Sequence, residues 1–268
     1  VLRAGVALLG VRITYEQVEA LGLGPVVLVF FSVLVVIVAG ALIARLLGLP
    51  RDLGLLSGGA VAICGASAAL ALSAVMPRNE THERNTILTV VGVTTLSTMA
   101  MVIYPLIVGA LGLPDAQAGV FLGATIHDVA QVVGAGYMIS DETGDVSTLI
   151  KLLRVAMLVP VVLGFMWFFR HSRGEGEQGK AVMLPGFLVV FILLVIVNSL
   201  GWIPEATSEG LSVVSRWCLV AAIAALGVKT SFEKLVVVGW RPVGLMLLET
   251  GLLLALVLGV VIYAGIGL

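Results

Sequence analysis

The sequence predicts an all-α integral membrane protein, a polytopic helix bundle with inverted repeats and broken, Gly/Ala-rich transmembrane helices. Of its 268 residues, 60% are hydrophobic and only 12% are charged, with a mean hydropathy of +1.16, far outside the range of soluble globular domains. Apolar stretches of about 20 residues, the length that crosses a bilayer core, recur along the whole chain. Two of these stretches are rich in glycine and alanine, and one short segment near the start is repeated near the end.

Nine candidate spans follow in order, at about residues 1–13, 25–47, 55–76, 86–111, 118–139, 149–169, 183–200, 211–229 and 243–265. The first span is too short to cross and the chain opens without Met, so we expect further sequence upstream. We treat residues 1–268 as a single polytopic transmembrane domain that is incomplete at its N-terminus. Residues 170–186 are polar and glycine-rich, which predicts a solvated loop between two groups of helices.

The repeat joins the two ends of the chain. "LGVRITYEQVEALGLGP" (Leu9–Pro25) aligns without gaps on "LGVKTSFEKLVVVGWRP" (Leu226–Pro242). If each intervening segment crosses once, an odd number of crossings separates the copies and they have opposite orientations, as in many secondary transporters. The alternative is that a helix end, a basic anchor and a proline arose twice independently.

Two central segments, Leu55–Pro77 and Ala118–Met138, are built from Gly, Ala, Ser and Thr. Small residues let helices approach closely, and glycine clusters allow a helix to break inside the membrane and turn backbone groups towards a cavity. Close packing without any ligand is the alternative for either segment. The candidate substrate-binding positions within them are Ser57, Cys64, Gly65, Ser67 and Thr125.

The stretch "GATIHDVAQVVGAG" places His127, Asp128 and Gln131 in an otherwise apolar segment. An ionisable side chain near the bilayer centre costs at least about 2.5 kcal/mol, so its default interpretation is functional. On a continuous helix, Gln131 would lie one turn from both other residues and could hydrogen-bond to either. We therefore predict an ion-coupling cluster that takes up and releases a proton or a cation. The alternative places His127 and Asp128 at a water boundary.

Lys151 and Arg154 lie three residues apart, on one face of the next helix. Two adjacent cations repel each other unless an anion or a carboxylate lies between them, so an anionic substrate, or Asp128 itself, would resolve the repulsion. We predict that both residues bind an anionic substrate. The alternative is that two long side chains reach out to the membrane interface.

Several classes of site and partner are not expected. Cys64 and Cys218 lack metal-ligand or CxxC spacing, and the chain contains no zinc-binding pattern or phosphate loop, so we predict neither a metal nor a cofactor. A net charge of −1 without a basic run predicts no nucleic-acid partner.

The combination of "AICGASAALA", "GATIHDVAQVVGAG" and "KLLRVAML", with "LRAGVALLGVRIT" before it and "AALGVKTSF" and "GWRP" after it, resembles the YeiH-like (sulfate exporter) family of bacterial membrane proteins. The resemblance covers essentially the whole chain. It implies a transporter of the bacterial inner membrane related to the sodium/proton antiporter and bile-acid symporter superfamily, with about eleven spans and broken helices that cross at mid-membrane. Two N-terminal spans of that pattern are absent here. The family's motif positions fall on Cys64, Gly65, Ser67, His127, Asp128, Gln131, Lys151 and Arg154.

We therefore expect a secondary active transporter of a small anion, sulfate or a sulfonate, coupled to a proton or sodium ion and working by alternating access, not an enzyme. The expected partners are this anion, the coupling ion, membrane lipid and a second copy of the chain, since glycine-rich helix faces suit a homodimer. A cation/proton antiporter centred on Asp128 is the first alternative. The second is an intramembrane serine hydrolase that uses Ser67 and His127.

Overall fold

The computed structural model describes residues 2–11, 19, 22–77, 80–169, 186–229 and 240–265, and all regular structure in these ranges is helical. The helices are α1 (Leu2–Leu8), α2 (Leu23–Leu46), α3 (Arg51–Ala62), α4 (Ala66–Ser73), α5 (His82–Leu111), α6 (Asp115–Thr125), α7 (Val129–Tyr137), α8 (Asp141–Ala156), α9 (Leu158–Phe168), α10 (Gly186–Ser199), α11 (Glu205–Lys229) and α12 (Trp240–Ala264). A 3₁₀ turn, Leu9–Val11, follows α1. The predicted all-α class is confirmed.

Four helices in these ranges are long and apolar enough to cross a bilayer: α2, α5, α12 and the run Asp141–Phe168 formed by α8 and α9. Their outer faces carry large apolar side chains. On α2, for example, Phe30, Phe31 and Leu34 are exposed while Val33 and Val36 are buried. An apolar outer face is what lipid contact requires, and the prediction of a multi-pass membrane protein is confirmed.

Both small-residue segments form broken helices, as predicted. The first is interrupted at Ile63, Cys64 and Gly65, between α3 and α4. The second is interrupted at Ile126, His127 and Asp128, between α6 and α7. Gly65 has φ 62° and ψ −124°, a conformation that glycine adopts readily and other residues do not. Each interruption separates the C-terminal end of one half-helix from the N-terminal end of the next.

Helices α2 and α3 form a tightly packed hairpin. A Cβ atom on Gly54 would lie 2.2 Å from the carbonyl oxygen of Gly40, and one on Gly58 would lie 2.8 Å from that of Val36. Only glycine fits where two backbones approach this closely. Helix α12 packs on the same hairpin.

One end of the bundle is defined by three chain segments. Ala44 on α2, Leu53 on α3 and Leu245 on α12 pack together, so the α2–α3 turn and the start of α12 lie at the same end. The Arg51 guanidinium lies 5.2 Å from the ring centre of Phe168, which brings the end of α9 there as well. We call this the Arg51 end of the bundle.

The helices divide into two packed groups. Helices α2 to α9 and α12 surround a continuous apolar core, which Phe191 of α10 also joins, whereas α1 packs against α10 and α11. Helix α7 contacts both α11 and α1, so it lies at the boundary between the groups. The second broken helix therefore contributes directly to this boundary.

Two predictions fall mainly outside the described residues. Most of the repeat formed by Leu9–Pro25 and Leu226–Pro242 lies there, as does the predicted loop at 170–186 except for Gly186, the first residue of α10. The inverted repeat and the solvated loop stay predictions.

Candidate functional site

The two helix interruptions lie against each other inside the bundle. A Cβ atom on Gly65 would be in ordinary contact with His127 Cβ, at 3.6 Å. Because α3 and α6 both end here, the carbonyl groups of their last turns have no partner within their own helices. In the membrane interior such groups require other donors. We call this meeting of the two interruptions the crossing.

Arg154 on α8 provides several of those donors. Its Nε donates to the carbonyl oxygen of Ala62 at 2.8 Å, and Nη2 donates to that of Val61 at 2.8 Å. Its Nη1 donates to Gly123 at 3.2 Å and to Ile126 at 3.1 Å. One fully buried guanidinium thus connects the C-terminal ends of both first half-helices. A planar fork of N–H groups suits this role, because it can reach several acceptors at once.

Lys151, one turn earlier on α8, also donates hydrogen bonds to carbonyl groups of both interruptions. Its Nζ donates to the carbonyl oxygen of Ile63 at 2.8 Å and to that of Ile126 at 2.9 Å. The side chain is also fully buried, so it does not extend to the membrane interface. The prediction that Lys151 and Arg154 share one face of a helix is confirmed, and every hydrogen bond that the structure gives them ends on a backbone carbonyl.

His127 lies inside the crossing with no exposed surface. Its Nδ1 is 3.1 Å from the carbonyl oxygen of Val61, and its Nε2 is 3.1 Å from the hydroxyl of Thr250 on α12. A carbonyl only accepts, so Nδ1 carries a hydrogen and donates it to Val61. The ring therefore ties the second interruption to the first half-helix α3 and to α12.

Asp128 is the N-cap of α7. Its Oδ1 accepts a hydrogen bond from the Ala130 N–H at 2.8 Å, and its own N–H donates to Ser97 Oγ on α5 at 2.9 Å. An N-cap carboxylate is stabilised by the free N–H groups and by the helix dipole. Asp128 and the following Val129 are partly exposed, whereas Ile126 and His127 are buried.

Gln131 is buried in the first turn of α7. Its Nε2 donates to Thr98 Oγ1 on α5 at 2.9 Å, and its Oε1 has no hydrogen-bond partner among the described residues. In the structure the Gln131 side-chain amide contacts Thr98 rather than His127 or Asp128, the two partners that the sequence allowed. Ser97 and Thr98 were missed as site residues, although "TTLST" is an unusually polar stretch for a span.

The remaining predicted site residues lie in three different places. Cys64 and Gly65 belong to the first interruption, and Cys64 is buried with a free thiol. Ser67 is exposed on the first turn of α4, whereas the Thr125 hydroxyl donates within α6 to the Phe121 carbonyl at 2.6 Å. Ser57 lies away from the crossing, where its Oγ donates to Glu249 Oε1 on α12 at 2.7 Å.

Glu249 was not among the predicted site residues. It is fully buried on α12, and its Oε2 has no hydrogen-bond partner among the described residues. The sequence signal was an acid in the apolar run "LMLLETGLLL", followed directly by the Thr250 that contacts His127.

Comparison with known proteins gives family membership. The model of the family described as "Conserved hypothetical protein 698" matches residues 1–246. The chain is 53% identical to UPF0324 membrane protein CT0845 of Chlorobaculum tepidum, over 98% of this chain and 74% of that protein. It is 51% identical to UPF0324 membrane protein TauZ of Paracoccus pantotrophus, over 93% and 75%, and 48% identical to UPF0324 membrane protein RB0971 of Rhizobium meliloti, over 99% and 77%.

No solved structure matches the chain, so the relation to the antiporter and bile-acid symporter superfamily stays a prediction. The relatives agree with the resemblance to the YeiH-like family that the motifs carry. On the family match and these identities, the chain belongs to the UPF0324 family of membrane proteins.

Proposed function

We propose that this protein is a secondary transporter that moves a small anion, sulfate or a sulfonate, across the membrane together with a proton or cation. The observation that carries the proposal is the crossing. Two helices end inside the bundle at the same place, and two buried cations on α8 donate hydrogen bonds to their terminal carbonyls. Non-helical backbone at membrane depth is tolerated where it is enclosed by protein or lines a cavity, which is the arrangement of transporter binding sites.

The charges of the crossing favour an anion. Lys151 and Arg154, both protonated, contribute two positive charges. The two half-helix N-termini carry about +0.5 charge each and the two C-termini about −0.5 each, so the helix ends cancel one another. With Asp128 ionised, the net charge of the crossing is about +1. A small anion therefore enters a favourable field, and Lys151 and Arg154 act on it through this field in addition to holding the backbone.

The first turn of α4 is the position we propose for the anion. Its N-cap is Gly65, which offers no side-chain acceptor to the free N–H groups, and Ser67 adds an exposed hydroxyl donor. An oxyanion with several acceptor oxygens suits such an end. The equivalent end of α7 is already capped by the Asp128 carboxylate.

We assign to Asp128 the binding of the proton that is coupled to anion transport. Protonation removes the negative charge of Asp128 and raises the net charge of the crossing to about +2, with the helix ends again cancelling one another. A proton on Asp128 therefore strengthens anion binding, and an anion strengthens proton binding by the same factor. Since α7 lies at the boundary with α11 and α1, movement of one helix group against the other would open the site to alternate sides.

A cation/proton antiporter remains the second candidate, because one observation favours it. Gln131 Oε1 lacks a hydrogen-bond partner among the described residues and lies on the helix that Asp128 caps. An amide oxygen and a carboxylate are ligands that suit a sodium ion. This candidate predicts sodium-dependent proton flux without any anion.

We do not assign an enzymatic reaction. A serine hydrolase requires a hydrogen bond between nucleophile and base, and the two ring nitrogens of His127 face Val61 and Thr250. Ser67, the proposed nucleophile of that alternative, is exposed on α4, whereas His127 is fully buried.

The function is tested by uptake into proteoliposomes that contain the purified full-length protein. Labelled sulfate and labelled taurine are supplied with and without imposed pH and sodium gradients, beside protein-free liposomes. Gradient-dependent anion uptake that is reduced by Ser67→Ala supports the proposal. Proton or sodium flux without anion movement would replace it with the antiporter, and an absence of all flux would reject both candidates.

A further inference from the structure

We propose that Glu249 is a second proton-binding site, separate from Asp128, and that Ser57 is its hydrogen-bond partner in the protonated state. The contribution of this proton to coupling rests on the proposed transport function. The existence of the site rests on the geometry around Glu249 alone.

The carboxyl group has the environment of a neutral acid. Glu249 is fully buried, its Oε1 is 2.7 Å from Ser57 Oγ, and its Oε2 has no partner among the described residues. An ionised carboxylate with one bare oxygen in a membrane interior is costly, whereas a protonated one carries no charge. A protonated carboxyl can donate to Ser57 Oγ, while the Ser57 hydroxyl has a second acceptor in the Gly54 carbonyl at 3.4 Å.

The surrounding helices make room for this group. A Cβ atom on Gly40 would lie 2.5 Å from Glu249 Oε1, so any larger residue at position 40 would displace the carboxyl. Gly54 and Gly58, on either side of Ser57, allow α3 to approach the α2 backbone closely. The glycine at position 40 thus leaves the space that the Glu249 carboxyl occupies beside Ser57.

The charged groups of the neighbouring helices do not neutralise Glu249. Helix α12 packs against α2, α3, α5 and α6, and none of their described ionisable groups hydrogen-bonds to the carboxyl. Those groups, with the others on α12, lie mostly near helix ends: Arg45, Arg51, Asp52, His82, Glu83, Arg84, Tyr104, Asp115, Arg241 and Tyr263. The ionisable groups of the crossing are Cys64, His127, Asp128, Lys151 and Arg154, and none of them hydrogen-bonds to the carboxyl; His127 contacts the next residue, Thr250.

The position of Glu249 suits a proton that enters from the Arg51 end of the bundle. Ser57 follows Arg51 by six residues and Glu249 follows Arg241 by eight, which on an α-helix correspond to about 9 and 12 Å. On the other side, Thr250 Oγ1 is 3.1 Å from His127 Nε2 at the crossing. Glu249 therefore lies between that end and the anion site. The chemical step is a proton transfer. A hydronium ion in the water gives its proton to the Glu249 carboxylate and an O–H bond forms; that bond breaks when the proton returns to water.

The site is tested first without transport, by infrared difference spectroscopy of the purified protein with isotope-labelled glutamate carboxyl groups. We expect a carbonyl band of a protonated acid that disappears reversibly as pH rises, is absent in Glu249→Gln and shifts in Ser57→Ala. Glu83→Gln, at an exposed carboxylate of α5, is the control and should leave the band unchanged. A missing band, or one that stays at every pH at which the protein is folded, would overturn the proposal.

Transport then tests the contribution to coupling. Glu249→Gln keeps an acceptor for Ser57 and cannot bind the proton, so we expect loss of pH-driven uptake with retained anion exchange at equal pH. Full pH-driven uptake in this variant would overturn the coupling role, even if the infrared band is present. If wild-type protein moves no anion while the band titrates, the proposed function fails and the proton site stands.

Discussion

Arg154 and His127 share one hydrogen-bond acceptor, the carbonyl oxygen of Val61, which lies 2.8 Å from Arg154 Nη2 and 3.1 Å from His127 Nδ1. Through this oxygen a cation of α8 and the ring of the second interruption are both attached to the end of α3. A change at Arg154 is therefore transmitted to the orientation of His127, and through it to Thr250 on α12.

Arg154→Lys should destabilise the protein strongly even though it keeps the charge. A lysine ammonium cannot reproduce the fork that reaches Val61, Ala62, Gly123 and Ile126, and each buried carbonyl left without a donor costs about 1–3 kcal/mol. We expect a loss of about 2–5 kcal/mol. It is measured as a lower unfolding temperature in detergent, with a thiol-reactive fluorophore that reports exposure of Cys64 in a Cys218→Ser background, because Cys218 is a second free and partly exposed thiol. Arg45→Lys, at an exposed position on α2, is the control, and equal unfolding temperatures for the two variants would contradict the role of Arg154.

Gly65→Ala should destabilise the first interruption. The residue has φ 62° and ψ −124°, which costs an alanine about 1–3 kcal/mol, whereas the space for a Cβ is adequate at 3.6 Å from His127 Cβ. The cost is thus conformational rather than steric. Gly109→Ala, inside α5 with no atom within 4 Å of the added Cβ, should be neutral or slightly stabilising in the same unfolding assay. If both variants unfold like the wild type, the positive φ at Gly65 is not a feature of the folded protein.

A comparison of Asp128→Asn with Asp128→Ala distinguishes the role of Asp128 as the N-cap of α7 from its proposed role in binding the coupling ion. Asparagine can still accept from the Ala130 N–H, so Asp128→Asn should fold normally, whereas Asp128→Ala should lose about 1 kcal/mol of stability. Both substitutions remove the ionisable group, so both should abolish gradient-driven uptake in proteoliposomes while anion exchange persists. Coupled uptake by Asp128→Asn would show that the coupling proton or cation binds elsewhere.

The tryptophans should report the depth of the bundle in the bilayer. Trp167, Trp202 and Trp240 are exposed near helix ends, where aromatic side chains gather at the membrane interface. In single-tryptophan variants we expect stronger fluorescence quenching by nitroxides near the lipid headgroups than by nitroxides near the chain ends. Trp217, exposed twelve residues into α11, provides the contrast and should favour the deeper nitroxide. A reversed order would mean that these helix ends do not mark the interface.

Much of the fold could be predicted from the sequence because membrane spans depend on composition and length. The two broken helices could also be predicted, since glycine and alanine replace leucine there. The point of interruption could not be predicted. Gly58 and Gly59 lie inside α3 and Gly65 lies at the break, and what distinguishes Gly58 is its contact with Val36 and Ile37 on α2, a tertiary feature.

The ionisable residues of the site could be predicted from the sequence, whereas their hydrogen-bond partners could not. Ionisable residues in apolar segments identify His127, Asp128, Lys151 and Arg154 by their cost in the membrane. Their partners are backbone carbonyls from other helices, and any residue type has a carbonyl, so residue identity carries no signal for them. Ser57 was a candidate from the sequence, but its pairing with Glu249 was missed because the two residues are 192 positions apart and only the packing of α3 against α12 brings them together.

The half-helices α3, α4, α6 and α7 are only 12, 8, 11 and 9 residues long, so none reaches the roughly 20 residues that cross a bilayer alone. During synthesis, each therefore lacks the length to anchor itself and has to wait for helices that follow it from the ribosome. The carbonyls of Ile63 and Ala62 meet Lys151 and Arg154 88 and 92 residues later, and His127 meets Thr250 123 residues after its own position. A ribosome that stalls before α8 would leave the carbonyl ends without donors, and one that stalls before α12 would leave His127 without Thr250 and Ser57 without Glu249.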